Sequence, residues 1–371
     1  MLVPKSIGTF GRMTSLDRRT FLQISGASAL ALGLGTALTS CLRPPDANGL
    51  KLLPGFTSRK VATTGHHVGS TGYTWHADPD GGACFPTSGG GWVYVSNSEN
   101  GVGGASMIRF SSTGSIVGAK RILSGTLANC AGGATPWGTW LSCEEWDGGK
   151  VWECNVLGTA PGVARPAMGV FRHEAAAVDP VSRAVYLTED VPDGAFYRFR
   201  PTTWGDLSAG TLQVMTQTTG ALAWVTVPNP IGTNPPTRRQ VPNTKVFNGG
   251  EGTVMVGSDV VWTTKGDNRV WRYRPSTNTL RVVYNAATSS NPILSGVDNV
   301  TQLHGNLYVC EDGGDMQIVR IKPDGTVEAV VQASSITGSE ITGVAFSPNG
   351  TRMYFSSQRN PGATYEVRGP W

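Results

Sequence analysis

NCAGGATPWGTWLSCEE, residues 129–145, sets a thiol and two adjacent carboxylates, Cys143, Glu144 and Glu145, at the end of an apolar strand. Its aromatic Trp140 is followed by a few small or apolar residues and then an acid, and that local pattern recurs along the chain. The equivalent aromatics are Tyr94, Trp140, Tyr186, Trp262, Tyr308 and Tyr354, at intervals of 46, 46, 76, 46 and 46 residues. Six strand-like copies at one period in the forties, with a single insertion, define an all-β, six-bladed β-propeller.

The composition agrees: 49 glycines, 23 prolines and 15% charged residues suit short strands joined by tight turns. Third strands are the plainest, as in Phe196-Tyr-Arg-Phe-Arg-Pro201, Val270-Trp-Arg-Tyr-Arg-Pro275 and Ile318-Val-Arg-Ile-Lys-Pro323, where alternation marks a two-sided strand and proline ends the pairing. After Tyr354 only Ala363–Arg368 remains before the chain stops, so the last blade lacks a fourth strand. The β-rich segment 57–64 is expected to complete it and leave no open edge. The extra residues between blades three and four, 217–248, are rich in proline and predict an ordered, strand-poor loop, a candidate lid.

Residues 1–40 read as an export signal of the twin-arginine type, with Arg18-Arg19 ahead of a mild apolar run. The run ends in Leu38-Thr-Ser-Cys41, which resembles a lipobox; lipidation at Cys41 and ordinary cleavage nearby both export the protein, to the periplasm or the cell surface. Membrane association is expected only through that anchor. Removing this segment takes away four basic residues and one acid, lowering the formal charge from +4 to +1. Such a balance suggests no nucleic-acid partner, and none is expected. Residues 41–371 are expected to form one domain, and a monomer.

In a propeller blade the start of the first strand and the end of the second share one face. Acids sit at both places: Glu174, Glu251, Asp298 and Glu340 at the starts, and Glu99, Glu144-Glu145, Glu189-Asp190 and Glu311-Asp312 at the ends. So many converging anions need protons or cations to neutralise them. Oxygen ligands suit Ca²⁺, Mg²⁺ or Mn²⁺, and a thiolate suits a transition metal, so Cys143 and the acids point to a mixed cluster. Cys143 could otherwise be a buried thiol, or pair with Cys84, Cys130, Cys154 or Cys310. Of the five histidines only His173, beside Glu174, is well placed, and it reads better as structural. No serine-nucleophile elbow or phosphate loop is present.

The chain resembles the PhoX family of exported bacterial phosphatases, through residues 129–145, FRHEAAAVDP with AVYLTED (171–190), FNGGEG (247–252), DNVTQLHGNLYVCEDGG (298–314) and EITGVAFSPNG (340–350). The resemblance implies hydrolysis of small-molecule phosphate monoesters at a cluster of Ca²⁺ and Fe³⁺ ions. By motif position Cys143 and Glu144 would help hold iron, while Glu174, Glu189, Glu251, Glu311 and Glu340 would share calcium and iron. Phosphate binding favours an arginine; Arg269 and Arg239 are candidates by position, with Arg238 and Arg359. Two other functions compete: a calcium-only lactonase or esterase on the same fold, and a metal-stiffened, non-catalytic binding protein.

Overall fold

The computed structural model describes residues 41–333, 336 and 338–371. The signal-like segment with its twin arginines lies outside the described residues. The chain forms six antiparallel sheets in sequence order around one axis. Blade one begins with Pro79–Pro86 and Trp92–Ser98, blade two with Asn129–Ala134 and Thr139–Glu144, and blade three with His173–Asp179 and Ala184–Glu189. Blade four begins with Gly250–Val256 and Asp259–Thr264, blade five with Val297–Leu303 and Asn306–Glu311, and blade six with Ile341–Phe346 and Arg352–Ser357. Each first strand packs against the next, and blade six returns to blade one, closing the ring.

The six repeat aromatics are the wedges of this ring. All are buried, and they join neighbouring blades: Trp140 Nε1 donates to Asn97 Oδ1 at 2.9 Å, Trp262 stacks on Phe196 at 3.9 Å, and Tyr94 stacks on Tyr354 at 5.1 Å. Repetition in sequence is thus repetition of a packing contact, with each aromatic's large area removed from water.

The last blade closes as expected: Thr57–Thr63 pairs antiparallel with Ala363–Arg368 as its outer strand. A second N-terminal contribution, Lys51–Leu52, is too short to read as a strand in sequence; it pairs with the outer strand of blade five. Between them Leu50, Leu52, Leu53 and Phe56 fill the space against blades five and six. The insertion is strand-poor as expected from residue 227 on, and departs from the expectation at its start. The fourth strand of blade three runs over Asp206–Thr218, and Ala221–Thr226 turns back as a fifth strand. Its alternation places Trp224 inward, where the indole donates to Tyr273 Oη at 2.8 Å and carries the Arg198 guanidinium over its ring. The prolines that follow hid this short period-2 run.

The closing seam is ionic as well as hydrogen-bonded. Buried Glu366 accepts from Arg352 Nη1 at 2.6 Å, Arg59 Nη2 at 2.7 Å and Tyr354 Oη at 2.7 Å, so three blade-six strands share one carboxylate. Replacing it strands the nearly buried Arg352 charge. Glu366→Ala should therefore cost about 3–5 kcal/mol, read as a lowered midpoint in chemical denaturation, whereas Glu328→Ala on the blade-five surface should cost less than about 1 kcal/mol.

Candidate metal centre at the propeller mouth

All six first strands carry a β-bulge near their start. In blades one to five the bulge begins with Asp80, Cys130, Glu174, Glu251 and Asp298, and blade six has Thr342 at the equivalent register. A bulge re-aims the side chain that a regular pleat would turn along the sheet. Here it creates five potential ligands at one level around the axis, all buried.

Donor atoms of these residues and of the loops above them come together in three groups, each within 4.8 Å: Asp80, Glu99 and Cys130; Cys130, Glu145 and Glu174; Glu174, Glu251 and Asp298. Cys130 and Glu174 belong to two groups each, so the three are linked in a chain around the mouth. Glu174 Oε2 is buried without a hydrogen-bond partner, an arrangement expensive for a carboxylate unless a proton or cation sits beside it. Burial first, and then mutual repulsion, pushes the carboxyls of Asp80 and Glu174 well up. The same causes raise Glu145 to about 8 and Glu340 to about 7, and push the Cys130 thiol up. Carboxylates with one thiol form a donor set that fits a mixed cation cluster.

Below the ring the channel closes to a cavity of about 40 Å³ lined by Gly81, Ala131, Ala175, Gly252 and Gly343. That is room for about one water, so access is from the mouth. Asn299 closes the floor, accepting from the Gly343 amide at 2.6 Å and donating to Asp298 Oδ1 at 3.0 Å.

Of the residues expected from sequence, Glu174 and Glu251 lie in this cluster, and Glu340 stands at its rim, where Arg359 Nη2 approaches its Oε1 at 2.7 Å. Four do not join it. Cys143 is enclosed by Leu141, Val151, Met168 and Phe171 in an apolar cluster between blades two and three, and burial pushes its thiol up. The thiol at the mouth is Cys130. Glu144 accepts from the amides of Leu127 and Lys150 at 2.9 and 3.1 Å, and Glu311 from those of Ser295 and Gln317 at 2.8 and 2.9 Å. Glu189 accepts from the Ala195 amide, Tyr197 Oη and Arg238. These three acids end their second strands and pin the adjoining turns. Because successive strand side chains alternate in direction, it is the next residue in each pair, Glu145, Asp190 or Asp312, that faces the mouth.

The arginine expectations change similarly. The Arg239 fork is spent on Asp193 at 2.7 and 2.9 Å, and Arg269 pairs with Asp267 at 3.1 Å while stacking on Trp271. The cations that reach the ring acids are Arg359, 4.0 Å from Glu99, Arg172, 4.0 Å from Glu145, and Lys265, 2.9 Å from Glu251. Burial opposes the Lys265 charge, but Glu251, Asp298, Asp190 and Asp312 overcome it and hold the ammonium protonated. His173 is structural: Nε2 meets the Gly169 carbonyl at 3.0 Å and the ring stacks on Phe171. All six cysteines are free thiols. In sequence, Pro79-Asp-Gly-Gly82 reads as a turn and Cys130 stands far from any acid; the shared register of the first strands is the signal that places both at the mouth.

A six-bladed propeller with an acid-and-thiol mouth on its axis is the class of protein these features define. The family model described as alkaline phosphatase PhoX matches residues 94–160 and 151–260. The fold is similar to that of Pseudomonas fluorescens PhoX in complex with vanadate, a transition state analogue, with TM-score 0.73 and 14% identity over 90% of this chain and 97% of that one. A Bacteroides thetaiotaomicron protein of unknown function matches with TM-score 0.54 and 10% identity over 84% of this chain and 76% of the other. No curated protein matches the sequence. The chain folds as a six-bladed β-propeller similar to that of PhoX.

The raised carboxyls have a signed consequence for stability. Glu145 and Glu340 hold protons in the folded chain to about pH 8 and 7, while in the unfolded chain they release them near the ordinary carboxylate value. Their neutral forms therefore favour folding at low pH, and stability falls as pH rises through that window. Chelator-treated protein should melt at a lower temperature at pH 8.5 than at pH 5.5, and added Ca²⁺ should remove the difference, as followed by thermal denaturation.

Proposed function

We propose that this protein is a cation-dependent phosphoric monoester hydrolase acting on small phosphate esters at the open mouth of the propeller. The observation that carries the proposal is the chain of three acid groups linked through Cys130 and Glu174, with Glu174 Oε2 unpaired, in a PhoX-like fold. Asp80, Glu99, Cys130, Glu145 and Glu174 would hold the more thiophilic, highly charged ion, iron(III). Glu174, Glu251 and Asp298, carboxylates alone, would hold calcium. Cations held there would bind the phosphoryl oxygens, offset the charge that grows in the transition state and acidify the attacking water.

The chain's own residues do the rest. Arg359, Lys265 and Arg172 ring the mouth with positive charge, which draws an anionic ester toward a floor too narrow to admit it. Glu340, at the rim with its carboxyl raised to about 7, is suited to hold or release a proton near the leaving group. Vanadate bound by the Pseudomonas fluorescens protein supports a phosphoryl substrate for this fold. A calcium-only lactonase would leave Cys130 without a role. The proposal includes export, on the strength of Arg18-Arg19 and the apolar run after it, with the chain either tethered through a lipid at Cys41 or released.

The test is metal analysis of the full-length chain expressed with its export signal, with hydrolysis of p-nitrophenyl phosphate measured before and after chelation. Iron and calcium together with chelator-sensitive turnover are expected; turnover that survives complete metal removal would sink the proposal. Two thiol variants sharpen it. Cys130→Ser should lose iron and reduce kcat/KM by more than the roughly 10–100-fold usual for outer-sphere changes. Cys143→Ala should keep iron and activity while losing about 1 kcal/mol of stability to the small void it leaves.

A further inference from the structure

The residue that follows the second strand occupies the same register in every blade. It is Glu99, Glu145, Asp190, Lys265, Asp312 and Gln358 in blades one to six. Four blades present an acid to the mouth there, one presents an amide, and blade four alone presents a cation. Lys265 is not a free surface lysine. Its amide donates to the Gly249 carbonyl at 2.8 Å and it opens a single 3-10 turn, Lys265–Asp267, so its backbone is held in place. Its ammonium lies 2.9 Å from Glu251 Oε1 and 3.2 Å from Asp312 Oδ2, and about a third of the side chain is exposed. Glu251 is one of the three carboxylates of the Glu174, Glu251 and Asp298 group.

We propose that Lys265 is a resident cation of the acid ring: its ammonium occupies the place at blade four where an acid would complete another metal site, and it shares Glu251 with the ion held by the neighbouring group. The inference rests on the ring being a cation site. Its physical basis is charge matching at fixed positions. With an acid at 265, Glu251, Asp312 and the new carboxylate would form a fourth group of hard oxygen donors, suited to Ca²⁺. With lysine there, the same two carboxylates are already neutralised by a group that cannot diffuse away. The propeller thereby keeps that side of its ring folded without metal, at the cost of one ion.

Three variants of the full chain separate the outcomes, each measured by calorimetric titration with Ca²⁺ after chelation and by metal analysis. K265E should bind one more Ca²⁺ per chain than the natural protein. K265M should bind the same number, with the existing calcium site at least about 10-fold tighter, because Glu251 no longer shares its charge, and its chelated form should melt at a lower temperature at pH 8.5. K265R should match the natural protein in number and affinity. Unchanged stoichiometry in K265E, or unchanged affinity in a folded K265M, would overturn the role of Lys265 while leaving the metal centre standing. No Ca²⁺ binding by the natural protein would overturn both.

Discussion

Everything at the mouth depends on how closely the six first strands approach the axis. Just inside the ring residues the chain carries Gly81, Ala131, Ala175, Gly252, Asn299 and Gly343, and larger side chains have no room. A Cβ on Gly81 would lie 2.3 Å from the Ala131 Cα, and one on Gly252 would lie 2.5 Å from the Val300 amide nitrogen. Strands packed this tightly bring the bulge residues above them together as a group, whatever their charges prefer. Four buried carboxylates and a thiol at that level are a consequence of backbone geometry, and their mutual repulsion has to be met by protons, by Lys265 or by bound cations.

The acids divide into two populations with opposite physics. Glu144, Glu189 and Glu311 end their strands facing into the protein, where each accepts backbone amides and holds a turn. Their satisfied oxygens stabilise the scaffold and leave little for a ligand. One residue later the chain turns Glu145, Asp190 and Asp312 toward the mouth, where donors are scarce. The bulge residues behave like this second population, and Glu174 Oε2 is its clearest member. A carboxylate that holds a turn and one that faces the mouth thus stand side by side in sequence, distinguished by strand alternation.

The insertion after blade three is tied to this scaffold. Its short turn Thr237–Arg239 is buried at Thr237, which meets Tyr197 Oη at 2.9 Å, and Arg238 reaches Glu189 Oε1 at 2.9 Å. The same carboxylate that pins the blade-three turn therefore also fastens the insertion beside the mouth. Asp193 receives both Arg238 and Arg239, so these two guanidiniums serve loop order more than anion capture.

Much of the architecture was legible in residue order alone. The 46-residue spacing of buried aromatics announces six blades because each aromatic fills the same inter-blade wedge, and a repeated contact leaves a repeated letter. The repeat likewise identified Thr57–Thr63, because the other blades each carry a fourth strand and the segment after Tyr354 supplies blade six with only a third. That acids gather at one mouth also follows from sequence, since strand starts and ends can be counted. Which acid of each pair faces the axis could not be counted. A first-strand bulge aims Cys130 at the axis, strand alternation decides between Glu144 and Glu145, and a thiol's role depends on whether its neighbours are Leu141 and Val151 or Asp80 and Glu174. Sequence by itself determined the repeat, the closure and the chemistry gathered at the mouth; only the tertiary structure selected Cys130 over Cys143 and placed Lys265 among the acids, because side-chain direction is set by packing between blades distant in the chain.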